Sequence, residues 1–569
     1  MICVTGKRLA LSAVAMLLML LCFAATGRAA APTAALSPEE MRQGERMYRE
    51  GILPSGTPMK AFVSGDVPVD GTSFTCVSCH LRSGLGSFEG EVVTPPTNGR
   101  VLYQERKPFI PGSEFIPSVS NYAKNLPVRP PYTDETLASL IATGIDPTGR
   151  SVLYVMPRYE LGDRDMAILI AYLKALSDKP SPGVGTSEIK FATVIVEGTN
   201  PLAVESMLTP IQFSVDRKNS LALAAKKNFR VARMAYNMLG DLHSMSFTLS
   251  RWILKGPPET WRSQLDQYYR NEPVFALLGG ISEGEWEPVH RFCEENHIPN
   301  LFPVVDYPVI SDTDWYTLYF SRGVRQEGEA AARYLNGMAG LFGNRPVVQV
   351  IRDSRKGEAL ADGFRTIWQQ RGHAAPLDIR LPKGERLTDK RIREILDTRQ
   401  PAALLVWDDD SALPALTAAA AAAGKEEQPT VLLASGTYLG KALWSIPEPL
   451  RDRLYLTYPY RLPQEDVRFD IAVKKVLPGK DIQSFDQKVL RESFITGEVL
   501  GKALMEMRAE YYRDFLLDTI GMMTDMYYPL YERVSFGPGQ RYASKGCYIV
   551  QLGKGESPKL ERRSEWVIP

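Results

Sequence analysis

The stretch Val274-Phe275-Ala276-Leu277-Leu278-Gly279-Gly280-Ile281-Ser282 decides the fold class of most of this 569-residue chain. Its first five residues are all apolar, which is typical of a strand buried on both faces. The glycine pair then ends the run, and a helical pattern follows at Glu285–Asn296. A buried strand that leads into a helix is the repeating unit of a parallel sheet covered by helices on both faces.

The same alternation of apolar runs and helical patterns fills residues 189–569. About 380 residues are more than one such core holds, so we predict two α/β lobes. A connection containing Asn200-Pro201 and Thr209-Pro210 separates the first strand from the first helix. The other predicted strands are Ile189–Val196, Phe247–Leu254, Pro346–Ile351, Ala402–Val406 and Val431–Ala434, and the other predicted helices are Ser220–Leu242, Pro258–Tyr269, Glu358–Arg371 and Leu413–Ala423.

In order and motif, residues 189–569 resemble the type I periplasmic solute-binding proteins of the leucine/isoleucine/valine-binding kind. The strand-glycine-serine turn ending at Ser282 carries the resemblance, together with Asn296–Leu301, the crossing at Tyr319–Arg322 and the β-α unit beginning at Val348–Asp353. The resemblance implies a two-lobed module that binds a small molecule such as an amino acid in the cleft between its lobes.

Several polar residues are candidates for that cleft. Ligands in α/β folds bind outside the carboxyl ends of the strands, where backbone N–H groups attract anions. Ser282 is therefore a candidate to hold a carboxylate, although a helix N-cap is an equally good role for it. Asp408 directly follows a strand and is a candidate for an ammonium group, whereas Asp410 or Ser411 fits equally as a helix cap. The resemblance implies that the cleft also receives Asp306, Tyr319, Asp353, Asp408 and Ser435.

A second motif, Cys76-Val77-Ser78-Cys79-His80, has the Cys-x-x-Cys-His spacing of c-type haem attachment. Its two thiols reach the two vinyl groups of one porphyrin, and the adjacent imidazole reaches the iron. A bare redox pair or half a zinc site are the alternatives. Zinc requires a second Cys/His pair nearby, and none precedes Cys293. We therefore predict one covalent haem c on Cys76 and Cys79, with His80 as an axial iron ligand.

The sixth iron ligand follows by elimination. His80 is the only histidine before His243, which excludes a second histidine ligand from this region. Met156 lies in an irregular loop, Tyr154–Arg158, just before a predicted helix at Asp163–Leu176. A methionine is usually core filler, but this position favours a ligand. His/Met ligation leaves no open position on the iron and suits electron transfer.

Residues 37–178 resemble the class I c-type cytochromes. Gly44 and Tyr48 in a predicted helix at Pro38–Glu50 carry the resemblance, with the Cys76–His80 motif and Met156-Pro157. It implies an all-α domain whose last helix crosses the first at Gly44. The crossing residues that it implies are Leu169, Tyr172 and Leu173.

The same resemblance implies that a backbone carbonyl of Pro95 or Pro96 orients His80. The run Thr133–Asp165 looks like the cytochrome units that serve periplasmic dehydrogenases. The implied partner is therefore a periplasmic redox protein of that kind.

The first 29 residues have the pattern of a secretory signal. Lys7 and Arg8 precede an apolar run, Leu9–Ala25, and small residues follow up to Ala29. A retained anchor would need about 20 apolar residues, and the bulky residue before Cys22 makes a poor lipidation site. We predict cleavage after Ala29, a periplasmic mature chain with no membrane span, and a tether at residues 179–188, which are rich in Pro, Gly and Ser.

Composition excludes some functions and leaves others open. With 67 Lys+Arg and 66 Asp+Glu the net charge is +1, which excludes a whole-chain nucleic-acid binder. His290, Cys293, Glu294 and His297 share one helix face, where packing is a commoner role than metal binding. A disulfide between Cys293 and Cys547 remains open.

Together these patterns predict a periplasmic monohaem cytochrome that transfers electrons. Its fused ligand-binding module would dock a redox partner or sense a solute. The alternative is the solute-binding receptor of an ABC-type transport system with an accessory haem. An enzyme is not expected, because the predicted methionine closes the iron.

Overall fold

A computed structural model describes residues 37–64, 66–89, 92–107, 127–422, 430–465, 473, 479, 481–528, 530–537, 539–555 and 557–569. The predicted signal, with its cleavage site after Ala29, lies outside these residues. No helix in the described ranges is long and apolar enough to cross a membrane. The described chain forms two compact units, the first built from residues 37–80, 86–107 and 127–178 and the second from residues 81–85 and 179–569.

The first unit begins with the predicted helix. Ser37 caps α1, which spans Pro38–Glu50, and forms a reciprocal capping box with Glu40. Gly51 ends the helix in the left-handed conformation, at φ 69°. The remaining helices of the unit are α2 (Cys76–His80), α3 (Gly99–Leu102), α4 (Asp134–Thr143) and α5 (Asp163–Ala175).

The prediction that this unit is all-α is wrong. It also contains an antiparallel sheet of three strands in the order β2-β1-β5 and a pair formed by β3 and β4. Strands of three or four residues hold at most two alternations of apolar and polar side chains, which is too few for a sequence pattern to reveal. The strands are β1 (Lys60–Val63), β2 (Val67–Asp70), β3 (Ser87–Glu89), β4 (Val92–Thr94) and β5 (Arg158–Glu160).

Helices α1 and α5 cross at Gly44. A Cβ atom on Gly44 would lie 2.6 Å from the Tyr172 Cβ and 3.1 Å from the Ile168 carbonyl oxygen. Tyr172 therefore contacts the glycine, as the cytochrome resemblance implied, and Ile168 provides the second contact. The ring of Tyr48, one turn further on, lies 5.6 Å from the ring of Tyr172.

The Gly44→Val substitution should destabilise the first unit. The added side chain overpacks a contact between two helices, which costs about 1–3 kcal/mol. Gly162→Ser is the control, because nothing lies within 4 Å of a Cβ at this N-cap of α5 and serine is a good N-cap. Urea unfolding followed by circular dichroism measures both. Equal midpoints for the two variants would contradict the close crossing.

The second unit contains two lobes, each with a seven-stranded sheet. The first-lobe sheet has the order β11-β9-β6-β8-β10-β12, with β7 paired to β6, and all of its pairs are parallel. Its strands are β6 (Glu188–Val196), β7 (Ser246–Leu254), β8 (Ala276–Leu278), β9 (Ile281–Ser282), β10 (Asn300–Leu301), β11 (Val304–Val305) and β12 (Thr317–Leu318).

The second-lobe sheet has the order β14-β13-β15-β16-β17-β18-β19. Its first five strands are parallel, and the last two join antiparallel. The prediction of α/β lobes built on buried parallel strands is confirmed. The strands are β13 (Val347–Arg352), β14 (Leu377–Leu381), β15 (Ala403–Trp407), β16 (Val431–Ser435), β17 (Leu454–Tyr458), β18 (Tyr548–Leu552) and β19 (Leu560–Arg562).

Helices complete the two lobes, and the chain passes between the lobes three times. It leaves the first lobe after β12, returns to it after β17, and goes back to the second lobe before β18. The helices are α6 (Pro201–Lys227), α7 (Phe229–Leu239), α8 (Trp261–Asn271), α9 (Glu287–Glu295), α10 (Arg325–Asn336), α11 (Arg355–Gln370), α12 (Asp389–Arg399), α13 (Leu413–Ala422), α14 (Gly436–Leu439), α15 (Glu448–Arg451), α16 (Gln487–Met507) and α17 (Arg513–Met522).

Helix α6 begins 19 residues before the predicted helix start at Ser220. Asn200 caps it, and Pro201 occupies its first turn, where proline is well tolerated. Pro210 lies inside the helix rather than ending it. Its buried ring packs in the first lobe, and the hydroxyl of Ser214 donates to the Pro210 carbonyl at 3.0 Å. Tertiary packing therefore overrides the helix-breaking tendency of proline.

Residues 179–188 pack within the second unit. Gly183 has φ 88°, and a Cβ there would lie 2.1 Å from the backbone nitrogen of Phe275. The side chain of Ser181 accepts a hydrogen bond from the Arg513 backbone at 3.0 Å. This Pro/Gly-rich stretch is thus an ordered part of the lobe rather than a free tether.

Candidate functional site

A cavity of about 30 Å³ lies between the two lobes of the second unit. Both lobes and two of the crossings between them contribute to its walls, and its volume suits one or two water molecules or the polar end of a ligand. The polar side chains that line it are Asp306, Tyr319, Ser321, Glu327, Thr437, Tyr460, Lys488 and Glu492.

Two of the predicted cleft residues line this cavity. Asp306 follows β11, and its carboxylate oxygens lie 3.5 Å from the ammonium groups of Lys356 and Lys488. Burial raises the pKa of Asp306, but these two ammonium groups outweigh it and hold the pKa below its usual range. The hydroxyl of Tyr319 lies 2.9 Å from Nδ1 of His290. Asp306 is therefore charged, and its pair with Lys356 on α11 joins the two lobes.

Glu327 is the most buried acid at the cavity, with a relative exposure of 1%. Its Oε2 accepts hydrogen bonds from Ser435 Oγ at 2.9 Å and from Thr457 Oγ1 at 2.6 Å. The side chain and backbone of Thr437 also interact with this carboxylate and lower its pKa, but burial outweighs them and raises the pKa of Glu327. The carboxylate is therefore desolvated at the cavity wall, where a further donor would stabilise its charged form.

The predicted residue Ser435 therefore donates its hydroxyl hydrogen bond to Glu327 rather than lining the cavity itself. Glu327 was not predicted from the sequence; it lies beside Gly328, shortly after the predicted crossing at Tyr319–Arg322. A Cβ at Gly328 would lie 2.0 Å from the Leu360 carbonyl oxygen, so only glycine permits this contact between α10 and α11. In the sequence, the feature that could have indicated Glu327 is an acidic residue next to a glycine of this kind.

Lys488 and Glu492 lie one turn apart on α16 and complete the polar wall. Tyr460, followed by the carboxylates of Glu492 and Asp306, raises the pKa of Lys488 well above its usual value. Burial raises the pKa of Glu492, whose Oε1 accepts a hydrogen bond from the Tyr531 hydroxyl at 2.5 Å. Neither residue was predicted from the sequence.

A wider cavity of about 450 Å³ lies beside the first, and Pro308 lines both. Its walls include Trp286 and Tyr307 of the first lobe and Arg355 of the second. Arg355 pairs with Glu285 at 2.9 Å, which is a second ion pair between the lobes. Ligand pockets commonly have about 300–1,000 Å³, so this space is large enough for the body of a small solute.

Besides Ser435, three predicted site residues do not line either cavity. Asp408 is buried in a bidentate pair with Arg352, at 2.6 Å and 2.7 Å, so the prediction that it receives a ligand ammonium is wrong. Asp353 is exposed. Ser282 Oγ accepts from the Gly284 backbone at 3.1 Å in a local turn, and the N-cap of α9 is Trp286 rather than Ser282.

The cap expected near Asp408 falls on a different residue. Asp409, rather than Asp410 or Ser411, accepts the capping hydrogen bond, from the Ser411 backbone at 3.0 Å.

The haem motif forms the short helix α2 in the first unit. Cys79 is exposed, Cys76 is partly buried, and both are free thiols. Burial raises the pKa of Cys76 to about 12. His80 Nδ1 lies 2.9 Å from the Pro95 carbonyl oxygen. Because a carbonyl only accepts, Nδ1 carries the proton and Nε2 presents its lone pair, as an iron ligand must. Of the two prolines that the resemblance offered, the structure uses Pro95.

Met156 lies in a turn in which its backbone N–H donates to the Leu153 carbonyl at 3.0 Å. Its side chain is only partly buried, and Leu153, Tyr154 and Val155 beside it are exposed. The methionines buried in the core of this unit are Met47, Met59 and Met166.

The predicted residues on α9 pack against neighbouring parts of the first lobe. His290 Nε2 contacts Asp314 at 2.8 Å, and Cys293 is fully buried. Glu294 accepts backbone hydrogen bonds from Trp315 and Tyr316, both at 2.7 Å. The described part of the chain contains no group of three or more His, Cys, Asp or Glu that would hold a metal ion. The expected packing role is confirmed, and Cys293 and Cys547 are buried free thiols.

No protein-family model and no curated protein sequence matches this chain. Among solved structures it is similar to type I solute-binding proteins. An ABC transporter substrate-binding protein from Sphaerobacter thermophilus is 15% identical over 67% of this chain and 98% of that chain, with a TM-score of 0.48.

Two further structures are of the same kind. A periplasmic binding protein type 1 from Bordetella pertussis Tohama I is 14% identical over 66% of this chain and 100% of that chain, with a TM-score of 0.44. A solute-binding protein from R. palustris, solved with 4-hydroxybenzoate, is 14% identical over 67% and 97%, with a TM-score of 0.45.

Proposed function

We propose that the second unit is a receptor that binds a small polar solute between its two lobes, in the manner of the substrate-binding component of an ABC-type transport system. The observation that carries this proposal is the buried carboxylate of Glu327, which lines the interlobe cavity. A bound solute would donate a further hydrogen bond to it. The role is binding rather than catalysis.

The polar groups of the cavity wall restrict the class of solute that fits it. Lys488 neutralises part of the charge of Asp306 and Glu492, which leaves Glu327 to face the ligand. The Thr437 hydroxyl also lines the cavity. A primary ammonium or a hydroxyl on the solute suits this wall, because each donates at least one hydrogen bond. The wider cavity would take the body of the solute, and the ion pairs of Lys356 and Arg355 with the first lobe would hold the lobes closed over it.

The Glu327→Gln variant should bind its solute about 10- to 100-fold more weakly, because a hydrogen bond to a charged group contributes about 1.5–3 kcal/mol. Calorimetric titration of the full chain with L-leucine, L-isoleucine, L-valine and short primary amines measures the effect. Glu448→Gln is the control, since Glu448 is exposed and lines neither cavity. Equal affinities in Glu327→Gln and the control would exclude Glu327 from the ligand site.

A second function is favoured by the hydrogen bond between His80 and Pro95. We propose that the first unit carries one haem c, attached through Cys76 and Cys79 and held by His80 and Met156. The haem would supply one-electron redox chemistry. The Pro95 carbonyl fixes the His80 tautomer that an iron ligand needs, and two free thiols lie in the same helix. This supports electron transfer with a periplasmic redox partner, such as a dehydrogenase.

The periplasm is the proposed location, because residues 1–29 have the pattern of a cleaved signal. Covalent haem attachment of this type also takes place outside the cytoplasm. The two proposals are independent, since the solute site and the haem motif lie in different units.

A further inference from the structure

From Arg217 onward, the last part of α6 and all of α7 carry charge of a single, positive sign. Between Asp216 and Asp241 the chain has no acidic residue. Five cationic residues in that interval are exposed, and none has an ion-pair partner among the described residues. The sixth, Lys218, is buried against the first lobe. The exposed cations are Arg217, Lys226, Lys227, Arg230 and Arg233.

The same surface exposes large apolar side chains. Helix α7 fully buries only Ala235, although a surface helix normally turns its apolar stripe to the core. Phe229 is 81% exposed and Met238 64% exposed. Leu223, Met234 and Tyr236 are also exposed. Isolated exposed apolar residues are common, but five within 16 residues form a patch that calls for a partner.

Charged and apolar residues share one face of these helices. On α6, Leu223 precedes Lys226 and Lys227 by three and four residues, which places them side by side. On α7, Arg230 and Arg233 lie between Phe229 and Met234 around the helix. Long cationic side chains keep their charge in water while apolar neighbours are buried. This arrangement suits a boundary that is negatively charged outside and apolar beneath.

We propose that this surface, which we call the basic patch, binds peripherally to anionic lipid headgroups. Each Lys or Arg near such a membrane adds attraction, and Phe229 and Met238 would enter the headgroup boundary. An acidic protein is the rival partner. Lipid is favoured because the exposed cations between Asp216 and Asp241 are interspersed with apolar side chains and with no carboxylate, whereas protein interfaces set register by complementary charges.

Sedimentation of the full chain with lipid vesicles tests the proposal. One set contains phosphatidylcholine alone, and the other contains equal parts of phosphatidylcholine and phosphatidylglycerol. We expect binding to the second set only, and its loss in 1 M salt, where the screening length falls from about 10 Å at 0.1 M to about 3 Å. Equal binding to both sets, or to neither, would overturn the proposal.

Two variants and a control separate the contributions of the cationic and the apolar side chains to vesicle binding. Replacing Lys226, Lys227, Arg230 and Arg233 by glutamine should weaken the binding at least tenfold, and so should Phe229→Ser with Met238→Ser. Leu341→Ser removes an equally exposed apolar side chain (77%) elsewhere in the same unit and should change nothing. Unchanged thermal midpoints verify folding. Binding to a polyglutamate peptide without binding to vesicles would overturn the lipid assignment in favour of an acidic protein.

Discussion

The Cys76→Ser/Cys79→Ser variant should emerge colourless from a host with cytochrome c maturation machinery. The unaltered chain should carry one haem that acid acetone does not extract, because two thioether bonds hold it. The alkaline pyridine spectrum and the mass of the acid-treated chain measure this difference. The effect is all or none, and it depends only on the two thiols of α2.

Ser78→Ala is the matched control, since Ser78 lies between the two cysteines and its hydroxyl donates only to the Thr75 carbonyl, at 2.6 Å. This variant should keep the haem. A colourless unaltered chain, or a pigment that acid acetone removes, would contradict covalent attachment. Met156→Ala should keep the haem but allow the ferrous protein to bind carbon monoxide, whereas Met41→Ala should not.

The second large effect is expected at Asp408. Asp408→Ala leaves the buried Arg352 guanidinium without its carboxylate, and removal of one partner of a buried ion pair costs about 3–5 kcal/mol. Arg352 would retain its hydrogen bond to the Pro382 carbonyl at 3.0 Å, which does not neutralise its charge. Urea unfolding of the full chain measures this decrease in the free energy of unfolding, in the transition that belongs to the second unit.

Asp389→Ala is the comparison for this pair. Asp389 forms an exposed pair with Arg393 on α12, and exposed pairs of this kind contribute little. We expect the midpoint of that variant to remain close to that of the unaltered chain. Similar losses in the two variants would mean that the Asp408–Arg352 pair does not anchor the second-lobe sheet.

The buried strands of the two lobes were predictable because each is a short continuous apolar run. Ala403–Trp407 and Val431–Ser435 both lie within a residue or two of their predicted bounds. The start of helix α6 was not predictable, because Pro201 and Pro210 are both typical of loops. In the structure Pro201 lies in the first turn of the helix, and Pro210 is buried inside it. The strand β18 joins the sheet beside β17, far away in sequence, and local patterns do not give such a pairing.

The candidate site was only partly predictable, for a related reason. Asp306 and Tyr319 follow from resemblance, but Glu327 and Lys488 meet them only because the chain crosses between the lobes more than once. The misassignment of Asp408 could have been avoided. Strands β13 and β15 pair with Ile351 opposite Trp407, so the next residues, Arg352 and Asp408, lie side by side at the end of the sheet.

Native mass spectrometry of the full chain, purified without unfolding, tests the solute-receptor claim most directly. We expect the unaltered chain and Glu448→Gln to carry the additional mass of one small molecule after incubation with the amino acids and amines named above, and Glu327→Gln to lack it. A chain that retains none of these molecules, or a Glu327→Gln variant that retains one as fully as the control, would contradict a solute site at Glu327.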